Sequence, residues 1–339
     1  MKSTIKNSSD YLFIYEAIQC NPNGDPDQEN KPRMDYDTNT NLVTDTRVKR
    51  FIRDYLKAVN EDEVIFVDME GNSKVSVASK LEAVVKRIME EPNELEKAFA
   101  NNLEFMKIFK EIVAKEKNAE GVWKTITDSK FKHKEVNYEL LAYLVKEKFI
   151  DIRMFGSAFA VGGFTKAYTG PIQLNWGYSF NEVELMDSNT IVTTMGDKDG
   201  NSGFGKDYRV YYSLLGFNGT INAPAAKSTG LSEDDVKVFR NAIWESIPAS
   251  PTRSKLNQYP KLYLEIVYNE GVSNGQFGDL RNFVEVSPKE GISKKQVRKF
   301  KNLNFDIDAL RKLINDNKGA GKKIKEVILK TSADFEISL

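Results

Sequence analysis

The first regular element that the hydrophobic pattern predicts lies close to the start of the chain. Residues 11–18 are apolar at nearly every position, which is typical of a β-strand buried on both faces. From Thr44 or Asp45, either of which can cap a helix, apolar residues instead recur at helical spacing. The residues on this helical face are Val48, Phe51, Ile52, Tyr55, Leu56 and Val59.

Helices and short strands follow one another along the rest of the chain. Two charged helices are predicted within 79–118, broken at 91–93, and further helices at 137–148, 232–247 and 303–318. Strands are predicted at 64–67, 172–180, 262–268, 283–286 and 324–329. Residues 190–195 and 208–215 flank a Gly-rich polar segment, 196–207, and together they predict a protruding β-hairpin.

This order of elements predicts an α+β fold with helices packed on one face of an antiparallel sheet. A split βαβ core of the ferredoxin-like or RRM-like kind, carrying large insertions, fits the order best. We expect residues 60–150 to form a mostly helical insertion into that core.

Composition narrows the possible functions. The 339 residues suffice for one large domain or two ordinary ones, and their formal net charge of zero excludes a uniformly basic nucleic-acid binder but not a basic stripe. With Cys20 as its single cysteine, the chain forms no internal disulfide and no thiolate zinc cluster. His133 is the one histidine, so a His-based catalytic triad is hard to build. We find neither a signal peptide nor an apolar run of about 18 residues, and expect a cytoplasmic protein without a membrane span.

The segment between the first strand and the first helix is rich in Pro, Gly, Asn and Asp. It contains two rigid turns, Asn21-Pro22-Asn23-Gly24-Asp25-Pro26 and Asn30-Lys31-Pro32-Arg33, and such shaped backbone is typical of a binding loop. The helix that follows is basic. Arg50, Arg53 and Lys57 project away from its apolar face, and Arg47 and Lys49 flank that face near the helix start. Because a helix N-terminus favours anions, this arrangement predicts a phosphate site.

Other interpretations of these residues remain open. Asn21, Asn23 and Asp25 alternate like the ligands of a calcium loop, but Gly24 and Pro32 stand where that loop needs other residues. Two of the nearby carboxylates could bind Mg²⁺ for phosphodiester cleavage. Residues 318–323 resemble a phosphate loop only faintly, because the spacing differs and no Ser or Thr follows.

Five blocks of the sequence together resemble the backbone subunit of type I CRISPR Cascade, the Cas-seven family, and most closely its subtype I-B branch. The blocks are Asn21-Pro22-Asn23-Gly24-Asp25-Pro26, Asn30-x-Pro32-Arg33, Val43-Thr44-Asp45-x-x-x-Lys49-Arg50, Asp151-x-Arg153-x-Phe155-Gly156 and Thr169-Gly170-Pro171-Ile172-Gln173. The resemblance extends from about residue 11 to the C-terminal helix.

The resemblance implies a modified RRM-like palm formed by residues 1–59 and 151–339, a helical fingers insertion at 60–150 and a thumb hairpin at 190–208. It implies a non-catalytic subunit without cofactor or metal, whose copies stack head-to-tail along a CRISPR RNA in an antiviral complex. Its further partners would be the target DNA strand paired to the guide and the other Cascade subunits. Backbone binding is consistent with this role, because a guide must leave its base edges free to pair.

The resemblance and the local chemistry together give the predicted RNA-binding residues. Arg47, Lys49, Arg50 and Arg153 are expected to contact phosphates. Asn21, Asn23 and Arg33 are expected to shape or touch the backbone path, and Phe155 and Met195 are candidates for wedging against bases. The full predicted set is Asn21, Asn23, Arg33, Arg47, Lys49, Arg50, Arg153, Phe155, Gly156, Thr194, Met195 and Tyr208.

Two rival functions come from other classes of protein. The first is an RNA-cleaving subunit similar to those of type III complexes, with Asp25 or Asp45 as its loop aspartate. The second is a carbohydrate or small-ligand binding domain that uses the Asn- and Asp-rich turn.

Overall fold

The computed structural model describes residues 3–59, 65–70, 73–74, 77–100, 102–128, 130–161, 164–193, 203–335 and 337. The chain divides into two compact units. The helical unit comprises Met1–Ile5, Leu56–Pro171 and Ala223–Val238. The sheet unit comprises Lys6–Tyr55, Ile172–Asn222 and Phe239–Leu339.

Strands and helices are both distributed along the whole length of the described residues. The strands are β1 (Ser9–Cys20), β2 (Gly24–Asp25), β3 (Lys31–Pro32), β4 (Met34–Asp35), β5 (Thr40–Val43), β6 (Met69–Glu70), β7 (Ser73–Lys74), β8 (Gly156–Val161), β9 (Phe164–Thr169), β10 (Ile172–Leu174), β11 (Gly177–Ser179), β12 (Thr190–Thr193), β13 (Gly203–Lys206), β14 (Val210–Ile221), β15 (Gln258–Tyr268), β16 (Glu285–Pro288), β17 (Leu303–Asp306) and β18 (Ile324–Thr331). The helices are α1 (Asp45–Val59), α2 (Val77–Glu90), α3 (Pro92–Ala98), α4 (Leu103–Glu116), α5 (Ala119–Thr127), α6 (Lys134–Tyr143), α7 (Ile150–Phe155), α8 (Ala223–Thr229), α9 (Glu233–Glu245) and α10 (Asp308–Asn317).

An antiparallel sheet with the strand order β18-β15-β1-β14-β11-β5-β4 forms the centre of the sheet unit, and β10 also pairs with β14. Strand β1 lies between β14 and β15, with Phe13 opposite Phe217 and Tyr263. Its residues Ser9–Tyr15 are all buried. The predicted strand at residues 11–18 is therefore confirmed, as is its burial on both faces.

Both faces of this sheet are covered, so the prediction of helices on one face only is wrong. Leu12 and Ile14 point to one face and join a cluster that contains Leu310 and Ile314 of α10. Tyr11 points to the opposite face, where its ring meets Phe239 of α9 at a centroid distance of 5.6 Å. Because side chains alternate along a strand, a run that is apolar at every position needs cover on each side.

The core of the helical unit is built from α2, α4, α5 and α6, together with Phe66 and Phe149. Residues 65–68 form no strand, contrary to the prediction for 64–67. The Asp151 carboxylate instead accepts hydrogen bonds from the backbone amides of Phe66 (2.8 Å) and Val67 (3.0 Å). Within 79–118 there are three helices rather than two, the sequence pattern does not predict α5, and α6 gives way to a π-helical turn at Leu144–Lys148.

Two further predictions for the sheet unit are wrong. The predicted helix at 303–318 begins with strand β17, which pairs with β16, and only Asp308–Asn317 is helical. In the protruding hairpin, β12 pairs with β13, so the return strand is Gly203–Lys206. Residues 210–215 belong instead to β14, most of whose side chains are buried. This strand lies inside the central sheet, between β1 and β11. Residues 194–202 lie outside the described part of the chain.

Three strand predictions are confirmed with adjusted bounds. The strand at 262–268 is part of β15, that at 324–329 is part of β18, and 172–180 is divided into β10 and β11. Ser232 caps α9 as predicted, because its hydroxyl accepts a hydrogen bond from the amide of Asp235. Among the helices of the described residues, none is long and apolar enough to cross a membrane.

Candidate nucleic-acid interface

The Pro- and Gly-rich segment is held in shape by its own polar groups. The Asn21 side chain donates a hydrogen bond to the carbonyl of Asn30 (2.8 Å), and the amide of Arg33 donates to the carbonyl of Asn23 (3.0 Å). A side chain at Gly24 would place its Cβ 2.0 Å from the Asn30 amide oxygen, so this close approach requires glycine. Asn21 is buried, and its side chain helps to hold the turn of this loop.

Asn23 fastens this segment to the start of α1. Its amide oxygen accepts hydrogen bonds from both the backbone amide and the hydroxyl of Thr44, each at 2.9 Å. The Thr44 hydroxyl in turn accepts a hydrogen bond from the amide of Arg47 at 3.2 Å, so Thr44 is the cap of α1. The loop and the first turn of the basic helix consequently form one connected structure.

The apolar face of α1 follows the prediction except at its end. Val48, Phe51, Ile52 and Leu56 are buried, whereas Val59 is 59% exposed and does not join the core. Val59 is the last residue of the helix, and the packed part of the apolar face ends before it.

Lys49 and Arg50 lie outside the apolar face, and each has a carboxylate partner on its own helix. The Lys49 amine contacts Asp45 at 3.1 Å and the side-chain oxygen of Gln173 at 3.0 Å. The Arg50 guanidinium contacts Asp54 through two nitrogens, at 2.9 and 2.6 Å. A phosphate that binds here would share or replace these partners.

Arg47 differs from its neighbours on α1. Its guanidinium lies 3.9 Å from the centre of the Phe51 ring, and its Nε is buried without a hydrogen-bond partner within the described part of the chain. Burial lowers the pKa of Arg47, because it disfavours the charged form. Arg47 is thus a half-buried cation positioned by an aromatic ring rather than by a carboxylate.

Two aromatic side chains lie beside the loop. Arg33 contacts Asp25 at 3.4 Å and lies 5.8 Å from the centre of the Trp176 ring, which is 49% exposed. The Tyr208 hydroxyl donates a hydrogen bond to Glu29 at 2.9 Å, and this bond raises the pKa of Tyr208. Arg33 and Tyr208 therefore both contact residues of the same loop.

Arg153 lies in the helical unit and is only 5% exposed. Its guanidinium makes a bidentate ion pair with Asp235, at 3.1 and 2.8 Å. This arrangement gives Arg153 a structural role, and its predicted contact with phosphate stays a prediction.

Phe155 and Gly156 also have structural surroundings. Phe155 is 7% exposed. Gly156 has a φ of +73°, and a Cβ there would lie 2.2 Å from the carbonyl oxygen of Tyr168. Gly170 faces it, since its own Cβ would lie 2.0 Å from the carbonyl carbon of Phe155. The blocks Phe155-Gly156 and Thr169-Gly170-Pro171 therefore mark one close approach of two backbone segments.

The remaining predicted residues either lie outside the described part of the chain or are acids. Thr194 and Met195 lie outside it. Asp25 contacts Arg33, and Asp45 contacts Lys49. The described residues contain no group of three or more His, Cys, Asp or Glu side chains that could hold a metal ion.

Sequence reasoning missed three cations that lie against the end of β1: Arg209, Arg253 and Lys255. The Lys255 amine donates a hydrogen bond to the carbonyl of Asn21, and Arg209 donates to the carbonyls of Gln19 and Arg253, both at 3.0 Å. Arg253 and Lys255 belong to a short polar loop after α9, more than 200 residues from Asn21 along the chain. Nothing in the local pattern connects that loop to the first strand.

Comparison with known proteins agrees with the fold and with the motifs. Residues 7–308 match the model of the family described as CRISPR-associated protein Cas7. A protein of that name from Haloferax volcanii is 30% identical over 312 residues, which cover 91% of this chain and 82% of that protein. A chain of a solved "CRISPR RNA-guided surveillance complex, pre-nicking" has a similar mixed α/β fold, with a TM-score of 0.51 at 10% identity over 91% of this chain and 87% of that chain. This protein therefore belongs to the CRISPR-associated protein Cas7 family.

Proposed function

We propose that this protein is a non-catalytic backbone subunit of a CRISPR RNA-guided surveillance complex and that it binds the guide RNA through its phosphates. Membership of the Cas7 family supports this proposal, as does the likeness in fold to a chain of an RNA-guided complex. Copies of the chain would stack head-to-tail along the guide, since a head-to-tail contact that does not close builds an open helix.

The order of elements in the sheet unit supports an RRM-like palm. Strands β15, β1, β14 and β11 are neighbours in the sheet, and α1 and α9 lie between successive strands along the chain. This order of strands and helices supports a split βαβ core. We assign the palm to 1–59 and 151–339, the fingers to 60–150 and the thumb to 190–208.

The observation that carries the proposal is the connection between the Pro- and Gly-rich loop and the cationic first turn of α1. Asn23 holds Thr44, and Thr44 caps the turn that carries Arg47, Lys49 and Arg50. We infer that these three cations contact phosphates and that Arg33 and Tyr208 border the RNA path. Contacts from Thr194, Met195, Phe155, Gly156 and Arg153 are further parts of the proposal.

The proposed partners follow from this mode of binding. A guide held by its backbone leaves its bases free to pair with a target DNA strand. The other subunits of the complex would bind the ends of the filament or its outer surface, in the cytoplasm.

The test is the salt dependence of RNA binding by the full chain. We expect affinity for single-stranded RNA to fall with salt, with a logarithmic slope of about −0.7 per phosphate neutralised. Two RNAs of equal length and shuffled sequence should bind alike. Affinity that is insensitive to salt, or that depends on one base sequence, would contradict the proposal.

A further inference from the structure

A second group of cations lies at the end of β1, next to the predicted RNA path. Three separate parts of the sheet unit meet there: residues 19–21, Arg209 and the loop 253–255. The amide of Asn21 donates to the carbonyl of Ser254 at 2.8 Å, and the Lys255 amine donates to the carbonyl of Asn21. These backbone contacts fix the position of the Lys255 side chain.

Carboxylates neutralise only part of this group. Asp207 contacts Arg209 at 2.7 Å and Arg253 at 2.8 Å, so a single acid serves both arginines. Among the described residues, no carboxylate lies within ion-pair distance of Lys255 or Arg47. Asp54, the acid that acts on Arg47 from further along α1, is already paired with Arg50.

The positive charge of Arg47 acts against that of Lys255. Burial lowers the pKa of Lys255 to about 8, and the charge of Arg47 acts on it in the same direction. Cys20 of β1 also interacts electrostatically with Lys255, but burial raises the pKa of its thiol to about 12, so the thiol stays neutral at physiological pH. Arg209 adds a further positive charge near Cys20, and Tyr15, the remaining titratable group beside Arg47, stays neutral because burial raises its pKa.

Two half-buried cations without a counter-charge favour a bound anion. Removing like charges from water is unfavourable unless an opposite charge compensates for the lost hydration. The Nε of Arg47 is buried and lacks a partner within the described part of the chain, which shows that hydrogen-bond capacity is also unused there. A bound anion would compensate for the positive charge and would accept the hydrogen bond that is unused.

We propose that Arg47 and Lys255 together hold one phosphate of the bound RNA, in a more enclosed position than the phosphates on the outer face of α1. This inference rests on the proposed RNA-binding function and adds Lys255 to its site. A phosphodiester supplies one negative charge as a counter-charge to the two cations, and its oxygens accept hydrogen bonds from both side chains.

A consequence of this geometry is a pH-dependent affinity. With a pKa of about 8, the Lys255 amine in the free protein is mostly charged near pH 7 and mostly neutral near pH 9. A phosphate raises that pKa, so RNA binding above pH 8 requires proton uptake and becomes weaker.

The experiment compares the wild type with Lys255→Arg and Lys255→Met, and uses Lys86→Met on α2 as a charge-matched control. A short oligoadenylate is the probe, because adenine bases do not ionise in this pH range. From about pH 7 to about pH 9, wild-type and Lys86→Met affinity should fall about tenfold, and the salt slope should lose about 0.7. Lys255→Arg should keep its affinity at both pH values, since an arginine stays charged.

Lys255→Met should bind about tenfold more weakly than the wild type at pH 7 and show little change with pH. The inference is overturned if Lys255→Met binds like the wild type at pH 7, or if Lys255→Arg loses affinity with pH as the wild type does. A misfolded Met variant does not weaken the test, because the Arg variant is independently decisive. If the wild type binds no RNA at low salt, the proposed function itself fails.

Discussion

Arg47 and Arg153 both lie in short sequence blocks that point to RNA, yet the structure treats them differently. Arg153, in the helical unit, is 5% exposed and makes two hydrogen bonds to Asp235. Arg47, in the sheet unit, contacts an aromatic ring and has a buried nitrogen without a partner among the described residues. The difference teaches that a cation can stand in a motif and still be structural when, like Arg153, it is buried and fully paired, whereas Arg47 keeps a nitrogen for a further hydrogen bond.

Neighbouring lysines of the sheet unit show that the missing counter-charge is a local feature. Lys261 is 3% exposed and contacts Glu16 at 2.8 Å and Asp334 at 2.7 Å. The fold thus supplies carboxylates to a buried lysine on β15, while Lys255, in the loop just before that strand, has only a backbone carbonyl among the described groups. We interpret Arg47 and Lys255 as cations kept available for an external anion.

Removing the counter-charge of Arg153 is expected to have the largest effect on stability. Asp235→Ala leaves a buried guanidinium unpaired, and we expect a loss of about 3–5 kcal/mol in the free energy of unfolding. Chemical denaturation measures this loss. Asp234→Ala is the control, because Asp234 is exposed and its ion pair with Lys237 lies on the surface. An Asp235→Ala variant as stable as the control would show that the ion pair has no structural role.

The second prediction concerns the block that follows Arg153. Gly156→Ala should destabilise the protein by about 2–3 kcal/mol, because the new Cβ meets the backbone of Tyr168 in addition to the cost of a positive φ. Gly275→Ala is the matched control. Gly275 has a similar φ, +77°, but open space around it, so a loss of only about 1 kcal/mol is expected there. Equal losses in both variants would mean that the contact with residue 168 is unimportant.

The third prediction concerns two cations of α1 that are paired but not buried, and it has the smallest effect on stability. Lys49→Ala combined with Arg50→Ala should change the free energy of unfolding by about 1 kcal/mol or less, since neither side chain belongs to the apolar face of α1. RNA affinity should nevertheless fall, and the salt slope should lose about 1.4 if two phosphate contacts disappear.

The matched control for that variant is Lys86→Ala combined with Arg87→Ala, the same pair of residues on α2. It should leave the salt slope unchanged. A large drop in the thermal midpoint of the Lys49 and Arg50 variant would instead identify one of them as a structural anchor.

The sequence predicts elements well where one local pattern decides them. Residues 11–18 of strand β1 are apolar at nearly every position, as expected for a strand covered on both faces, and α1 has both a cap at Thr44 and an apolar face. The helix prediction for 303–318 fails in its first residues because they pair with β16, a contact that helical periodicity does not report. Tertiary pairing prevails there over local preference.

The residues of the candidate site also differ in how far the sequence alone predicts them. Lys49 and Arg50 are recognisable beside a capped helix start, and the loop before them is marked by its Pro and Gly residues. Lys255 cannot be found from sequence, because its position depends on a hydrogen bond to Asn21, which is distant along the chain. The roles of Arg153 and Gly156 are equally hidden, since Asp235 and Gly170 come from other elements.

The central claim is that this chain binds a CRISPR guide RNA, and the most direct test is the RNA that co-purifies with it. The full chain is expressed together with a CRISPR array, purified, and its bound RNA is sequenced. We expect strong enrichment of repeat- and spacer-derived RNA, which the Lys49→Ala and Arg50→Ala double variant loses while it remains folded. Purification without nucleic acid, or with RNA that shows no enrichment for the array, would contradict guide binding by this chain.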